Sequence, residues 1–181
     1  MGYQYHTISL ILIIFLGSST LTKATNLVPD TCKKITKSDP NINYDSCVKE
    51  LGSNPRSSIA NIDGLAEISF NVTANKARSI LSAINQLLKD PKFDRPFKGA
   101  LEACSGMYSG APENLKLGLD ALKSKDYFTA NARVSAAMDC GPYCDEVFKE
   151  MKVIVSPLTK ENNDYFELGC ISLAFTYLFN K

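Results

Sequence analysis

Histidine is almost missing from this chain. The single copy in 181 residues is His6, inside an apolar N-terminal stretch. Everything downstream therefore lacks the usual general base, the usual proton shuttle and the commonest metal ligand. The Cys-x-x-Cys spacing of zinc knuckles is also absent. Its nearest approach, Cys140-Gly-Pro-Tyr-Cys144, puts three residues between the thiols, with Pro142 where a knuckle would turn. Neither sign of charge is in excess, with 20 Lys and Arg against 19 Asp and Glu. That balance excludes the basic footprint of a nucleic-acid-binding protein. After Leu16 no run is long and apolar enough to span a bilayer. These absences point away from a metalloenzyme, a nucleic-acid partner and a membrane protein. They point to a binding protein that needs no cofactor.

What is present begins with Ile8 to Leu16, an apolar run followed by Gly17, Ser18, Ser19 and Thr20. The run is too short for a comfortable membrane span and long enough for a signal-peptide core. A cut after Ala24 places Thr22 at −3 and Ala24 at −1. The n-region carries no Lys or Arg, and the other reading is an uncleaved anchor. Residues 1–24 are read as a signal peptide and 25–181 as one domain. Removing Lys23 brings the charge balance of that domain to zero. All six cysteines lie in it, and an even count in a secreted chain favours disulfides over zinc.

The segment from Thr31 to Gly52 reads as a short helical hairpin. Thr31 is placed to cap one helix, Asp39-Pro40-Asn41 makes the turn, and Asp45 to Leu51 forms the second helix. A Cys32–Cys47 bridge would close it, worth roughly 3 kcal/mol for a loop of this length. A long helical pattern then runs from about Ser58 to Lys89, with Leu65, Ile68, Val72, Ile80, Ala83, Ile84 and Leu87 on one stripe. The next helix starts near Arg95-Pro96 and buries Leu101, Cys104, Met107, Tyr108, Leu115, Leu119 and Leu122. Gly110-Ala111-Pro112 is expected to kink or interrupt it. A third helix begins at Asp126, carries Phe128, Val134, Ala137 and Met138, is disturbed at Gly141-Pro142 and resumes to Met151. The last helix starts near Thr159 and is apolar almost all round at its end, which requires burial on several sides. The fold class is all-α: an up-down-up-down four-helix bundle (57–181) preceded by a helical hairpin (25–56).

Three stretches carry a family resemblance: Lys123-Ser124-Lys125-Asp126-Tyr127, then Val134-Ser135-Ala136-Ala137, then Tyr143-Cys144-Asp145-Glu146-Val147-Phe148. Supporting them are Asn54-Pro55-Arg56-Ser57, Gly64-Leu65-Ala66, and Ala103-Cys104 with Tyr108 one turn on. In this order and spacing the chain resembles the plant invertase and pectin methylesterase inhibitors over nearly all of residues 25–181. Tyr143 stands where that family usually has Thr. Ile154 to Asn162 is most similar to a pollen subgroup whose members are called putative invertase inhibitors. The resemblance implies a bundle with a hairpin, bridges Cys32–Cys47 and Cys104–Cys144, and no catalysis. It also implies a secreted monomer that binds one pectin methylesterase or acid invertase, 1:1, in the cell wall, with the vacuole as a second location.

The resemblance leaves the target open. Invertase inhibitors of that family carry Pro-Lys-Phe just before the third long helix. The aligned residues here are Asp126-Tyr127-Phe128, taken as the target-binding triplet, and its Pro and Lys are missing. Pro91-Lys92-Phe93 does occur, but in an earlier turn, where it is read as coincidence. The departure favours pectin methylesterase, with acid invertase as the alternative. A lipid-binding or storage bundle is the remote third reading, opposed by large Leu, Ile and Phe residues at core positions.

Duller readings stand beside these. The acid pairs Glu161 with Asp164 and Asp145 with Glu146 fit solvated helix faces better than an active site. Ser135 has no partner base by spacing. Tyr127 reads equally as an interface aromatic or a core residue. If the third and last helices turn near Val155, Cys140 and Cys170 are equidistant from the turn, so a third bridge is expected there; the alternative is two buried free thiols. Asn71-Val72-Thr73 is the one glycan acceptor sequence. It sits inside a helix, against the preference of acceptors for exposed loops.

Overall fold

Helices α1 (Val28–Thr36) and α2 (Tyr44–Gly52) open the computed structural model, which describes residues 27–152 and 155–180. The signal-peptide residues and His6 lie outside the described residues. α1 starts three residues before Thr31, because Pro29 occupies its first turn, where a missing N–H costs nothing. Thr31 is therefore buried within the helix rather than capping it. α2 is capped by Asn43, whose side chain accepts from the Ser46 N–H at 3.0 Å. Neither nine-residue helix would persist alone. The Cys32–Cys47 disulfide joins them with Cα atoms 5.8 Å apart. The Asn43 N–H donates to Glu167 at 2.8 Å, which fastens the hairpin to the last helix.

After a short 3₁₀ helix (Pro55–Ile59) come α3 (Ile62–Leu87), α4 (Arg95–Lys123), α5 (Tyr127–Met138), α6 (Cys140–Glu150) and α7 (Thr159–Phe179). The chain runs up and down four times, with α5 and α6 end to end as the third member. α4 packs on α3 on one side and on α5 and α6 on the other, while α7 closes the bundle against α3, α5 and α6. No helix among the described residues is long and apolar enough to cross a membrane.

Two sequence expectations fail here. The pattern from Ser58 divides at Ala60, because Asn61 caps α3 through the Gly64 N–H. The interruption at Gly110-Ala111-Pro112 does not occur, and α4 continues through Pro112. Proline forfeits the bond to the Tyr108 carbonyl and costs a helix about 3 kcal/mol. Tyr108, Ala111 and Leu115 are all fully buried around it, and their burial holds the helix together.

The interior carries two buried polar clusters. The Thr73 hydroxyl lies 3.0 Å from the Ser69 carbonyl, 3.1 Å from the Leu168 carbonyl and 2.9 Å from the Ser172 hydroxyl. Tyr108 donates its hydroxyl to Asn162 at 2.8 Å, and the Asn162 amide donates to Asp145 at 2.7 Å. Every buried side-chain N or O among the described residues has a partner, so these clusters fix helix register without an uncompensated polar group. α7 also comes unusually close to its neighbours. A Cβ on Gly169 would overlap the Met138 side chain, and one on Gly141 would stand 2.7 Å from the Asn162 carbonyl.

Cys104 and Cys144 bridge α4 to α6, with Cα atoms 5.0 Å apart. Cys140 and Cys170 do not form the expected third bridge; both are free and buried. The reason is register. Gly141 meets Asn162, Met138 meets Gly169, and the Tyr165 hydroxyl donates to the Ala137 carbonyl. Cys140 thus faces the Asn162–Tyr165 level of α7. Cys170 lies five residues further on, roughly 7.5 Å along the axis. Burial pushes the Cys140 thiol up to about 11 and the Cys170 thiol up to about 12, so both remain protonated and unreactive.

Candidate functional site

The turn between α4 and α5 forms one end of the bundle. Asp126 N–H donates to the Ala121 carbonyl at 2.9 Å and Lys125 N–H to the Leu122 carbonyl at 3.0 Å. This is a Schellman ending, whose left-handed position normally takes glycine. Here that position is Lys125, with φ of 64°. The following residue, Asp126, caps α5 by accepting the Thr129 N–H at 3.0 Å. That backbone bond holds its carboxyl below the usual aspartate value. Two backbone motifs back to back make the turn stiff, and it presents Phe128 in the first turn of α5.

Phe128 is 86 % exposed, the most exposed large apolar residue among those described. The sequence reading gave it both to the third helix, with Val134, Ala137 and Met138, and to the target-binding triplet; the buried face of α5 is Ala130, Val134 and Ala137. Tyr127 is half-buried against the core and so serves as the foot of the tip, beside the exposed ring. A recess of about 450 Å³ adjoins them, lined from α5 by Asn131, from α7 by Thr176 and Tyr177, and by Asn180 just past the end of α7. Asn131 donates to Thr176 across its floor at 3.4 Å. Tyr177 is 59 % exposed on its rim. The apolar end of α7 is thus open on one side. Sequence spacing missed these α7 residues, and the only signal was Tyr177, a hydroxyl-bearing ring within an apolar run.

The Pro91-Lys92-Phe93 triplet lies at the other end, before α4. α4 has 29 residues, so the two triplets are about 43 Å apart. Phe93 stacks on Phe97 with ring centroids 3.9 Å apart, and Phe97 meets Phe148 edge-on at 5.4 Å. The Lys92 ammonium sits 4.8 Å from the Phe93 ring centre and 2.9 Å from Asp90. This triplet is folded onto itself.

The other candidates take structural places. Asp164 pairs with Lys160 at 2.8 Å and Lys76 at 3.4 Å. Asp145 accepts from Asn162 and Thr159. Ser135 is half-buried in α5. No group of acids and cysteines that could hold a metal occurs among the described residues. Asn71 is exposed on α3, whereas Thr73 of the same acceptor sequence is fully buried.

Comparison with known proteins places this architecture. The plant invertase/pectin methylesterase inhibitor family matches residues 26–175. A "Putative invertase inhibitor" of Platanus acerifolia is 44 % identical over 153 residues, covering 84 % of this chain and 85 % of that protein. "Pectinesterase inhibitor 12" of Arabidopsis thaliana is 36 % identical over 167 residues, covering 91 % and 95 %. The fold is also that of a crystal structure of a mutant form of a pectin methylesterase inhibitor from Arabidopsis. That likeness has a TM-score of 0.67 at 24 % identity and covers 85 % of this chain and 97 % of that one. The chain belongs to the plant invertase/pectin methylesterase inhibitor family.

Proposed function

We propose that this protein is a secreted inhibitor that inserts the α4–α5 tip into the catalytic cleft of a plant acid invertase. The observation that carries the reading is Phe128, held 86 % exposed on a stiff turn. A large ring in water forgoes about 1.5–3 kcal/mol of burial, which a partner cleft would recover. Lys125 stands next to it, exposed and without an ion pair among the described residues. An invertase hydrolyses a glycosidic bond, and such sites carry a pair of carboxylates beside a sugar-binding surface. The lysine matches the carboxylates in charge, and the ring matches the flat face of a sugar.

The choice of invertase reverses the preference drawn from the missing Pro and Lys. It is supported by the 44 % identity to a protein named for invertase inhibition, against 36 % to one named for pectinesterase. Pectin methylesterase stays the second reading on the strength of that latter relative. The two disulfides suit an oxidising compartment, with the cell wall favoured over the vacuole, and one inhibitor is expected per enzyme. The test is to titrate the protein into purified acid invertase and, in parallel, into pectin methylesterase. Sucrose hydrolysis should fall to its floor at equimolar inhibitor while demethylation continues. Inhibition of the methylesterase alone would transfer the assignment to the second reading, and inhibition of neither would end it.

A further inference from the structure

Asn71-Val72-Thr73 is an acceptor sequence set in the middle of a 26-residue helix, and the fold splits it. Asn71 faces solvent on the outer side of α3, with Asn75 and Arg78 exposed beyond it. Its amide makes one hydrogen bond, to the Glu67 carbonyl one turn back at 2.9 Å. Thr73 points the other way. It has no exposed surface, and its hydroxyl is held between α3 and α7 by Ser69, Leu168 and Ser172. The hydroxyl two residues after the asparagine is part of the acceptor signal, so an enzyme that reads the signal must reach it. In the folded protein it cannot.

The partners that bury Thr73 belong to the last helix. Leu168 and Ser172 lie 95 and 99 residues further along the chain. Synthesis proceeds at about 5–20 residues per second. For roughly 5–20 s after Thr73 is made, the helix that hides it does not exist. A helix made of residues 62–87 alone is marginal before it packs, so the sequence is also extended for part of that interval.

We infer that Asn71 carries an N-linked oligosaccharide, added before α7 docks onto α3. The inference rests on passage through the secretory pathway, which the disulfides favour. In the transfer, the Asn71 amide nitrogen bonds to the anomeric carbon of a lipid-pyrophosphate-linked oligosaccharide. The bond from that carbon to the pyrophosphate oxygen breaks, and the lipid pyrophosphate leaves with its electron pair. The amide gives up one proton to the transferase base. It keeps one N–H, the number its bond to Glu67 uses. The sugar then projects from the outer side of α3 and disturbs no buried group. The recess beside Phe128 is lined by the turn, α5 and α7, with no α3 residue, so the glycan leaves it open.

The test expresses the full chain in plant cells as wild type and Asn71→Gln, and reads glycosidase-sensitive mass and disulfide state together. Wild type should lose one glycan's mass on treatment, and Asn71→Gln should show none. A bridged or unbridged wild-type chain without sugar overturns the inference; the disulfide state shows whether secretion failed as well. The order of events is tested with unglycosylated protein incubated with microsomes and lipid-linked oligosaccharide. The reduced, denatured chain should gain the glycan and the folded, bridged chain should not. Equal modification of both would overturn the ordering.

Discussion

Two phenylalanines at opposite ends of α4 teach more together than either does alone. Phe93 follows Pro91 and Lys92, the triplet that resembles an invertase-inhibitor signature. Yet it stacks on Phe97 and takes its own lysine over its face. Phe128 follows Asp126 and Tyr127, a triplet that has lost the signature's Pro and Lys, yet it stands free in solvent. The difference lies in the backbone beneath them. At the α3–α4 turn Phe93 sits just before the Asp94 cap and Phe97 in the first turn of α4, so ring meets ring. At the α4–α5 turn the Schellman ending and the Asp126 cap direct residue 128 away from the Ala130–Val134–Ala137 face. Position in a fold, more than letters in a row, decides which triplet is offered to a partner.

If one end is built for stability and the other for contact, their substitutions should separate. The largest effect is expected from Cys104→Ser with Cys144→Ser. The loop between them spans 40 residues, and losing the bridge should cost roughly 4 kcal/mol in denaturant unfolding. The affinity of the folded fraction for the target should not change. Gly169→Ala comes next. Its methyl has no room against Met138, so about 1–3 kcal/mol should be lost despite the helix-forming gain of alanine. A stability increase would show that α7 sits further from α5 than described. Lys125→Gly should act in the opposite direction. It relieves a left-handed lysine and should raise stability by about 1 kcal/mol, while weakening inhibition by removal of the cation.

The smallest expected effect is that of pH. Lys123 donates to Glu67 at 2.9 Å and holds its carboxyl low, and the Thr129 N–H does the same for Asp126. A carboxyl whose folded value is depressed contributes stability that is complete above its unfolded value. That contribution is lost as pH falls through the folded value. Thermal midpoints should therefore be flat from about pH 5 to 7 and decline below about pH 4, the ordinary carboxylate range. No histidine follows residue 6, so the side chain that ordinarily titrates between 5 and 7 is missing. Any change in binding across that window belongs to the target enzyme's groups or to acids buried by the complex.

Much of the fold was legible because its punctuation is strong. Proline and glycine divide the chain where the helices divide, at Asn54-Pro55, Asp90-Pro91 and Ser156-Pro157. The apolar stripe of α4 supplies most of that helix's buried residues, whereas that of α3 supplies Leu65, Ile68, Ile80 and Ile84 and misses the small and polar ones such as Ala66, Ser69 and Thr73. Pro112 misled because its cost is local, while the burial of Tyr108 and Leu115 that outweighs it comes from other helices. The exposure of Phe128 follows the helical period: counting back by three and four from Val134 reaches Ala130 and Tyr127 and passes over 128. The Cys140–Cys170 pairing failed on register, since α7 slides past α5 and α6 to seat Gly141 and Gly169 against their neighbours. The recess beside the tip was the least legible part. Its members come from α5 and α7, some 45 residues apart, and no spacing within either helix announces their meeting.

The central claim is that the exposed ring at the α4–α5 tip makes the contact and the stacked ring at the α3–α4 turn does not. Calorimetric affinities of Phe128→Ala and Phe93→Ala for acid invertase, each compared with wild type, test it directly. The account predicts at least a roughly 30-fold loss for Phe128→Ala, the size of a binding hot spot of about 2 kcal/mol. It predicts affinity within about twofold for Phe93→Ala, with a lowered thermal midpoint from the lost stacking. Unchanged affinity in Phe128→Ala, or an equal loss in Phe93→Ala, would contradict it.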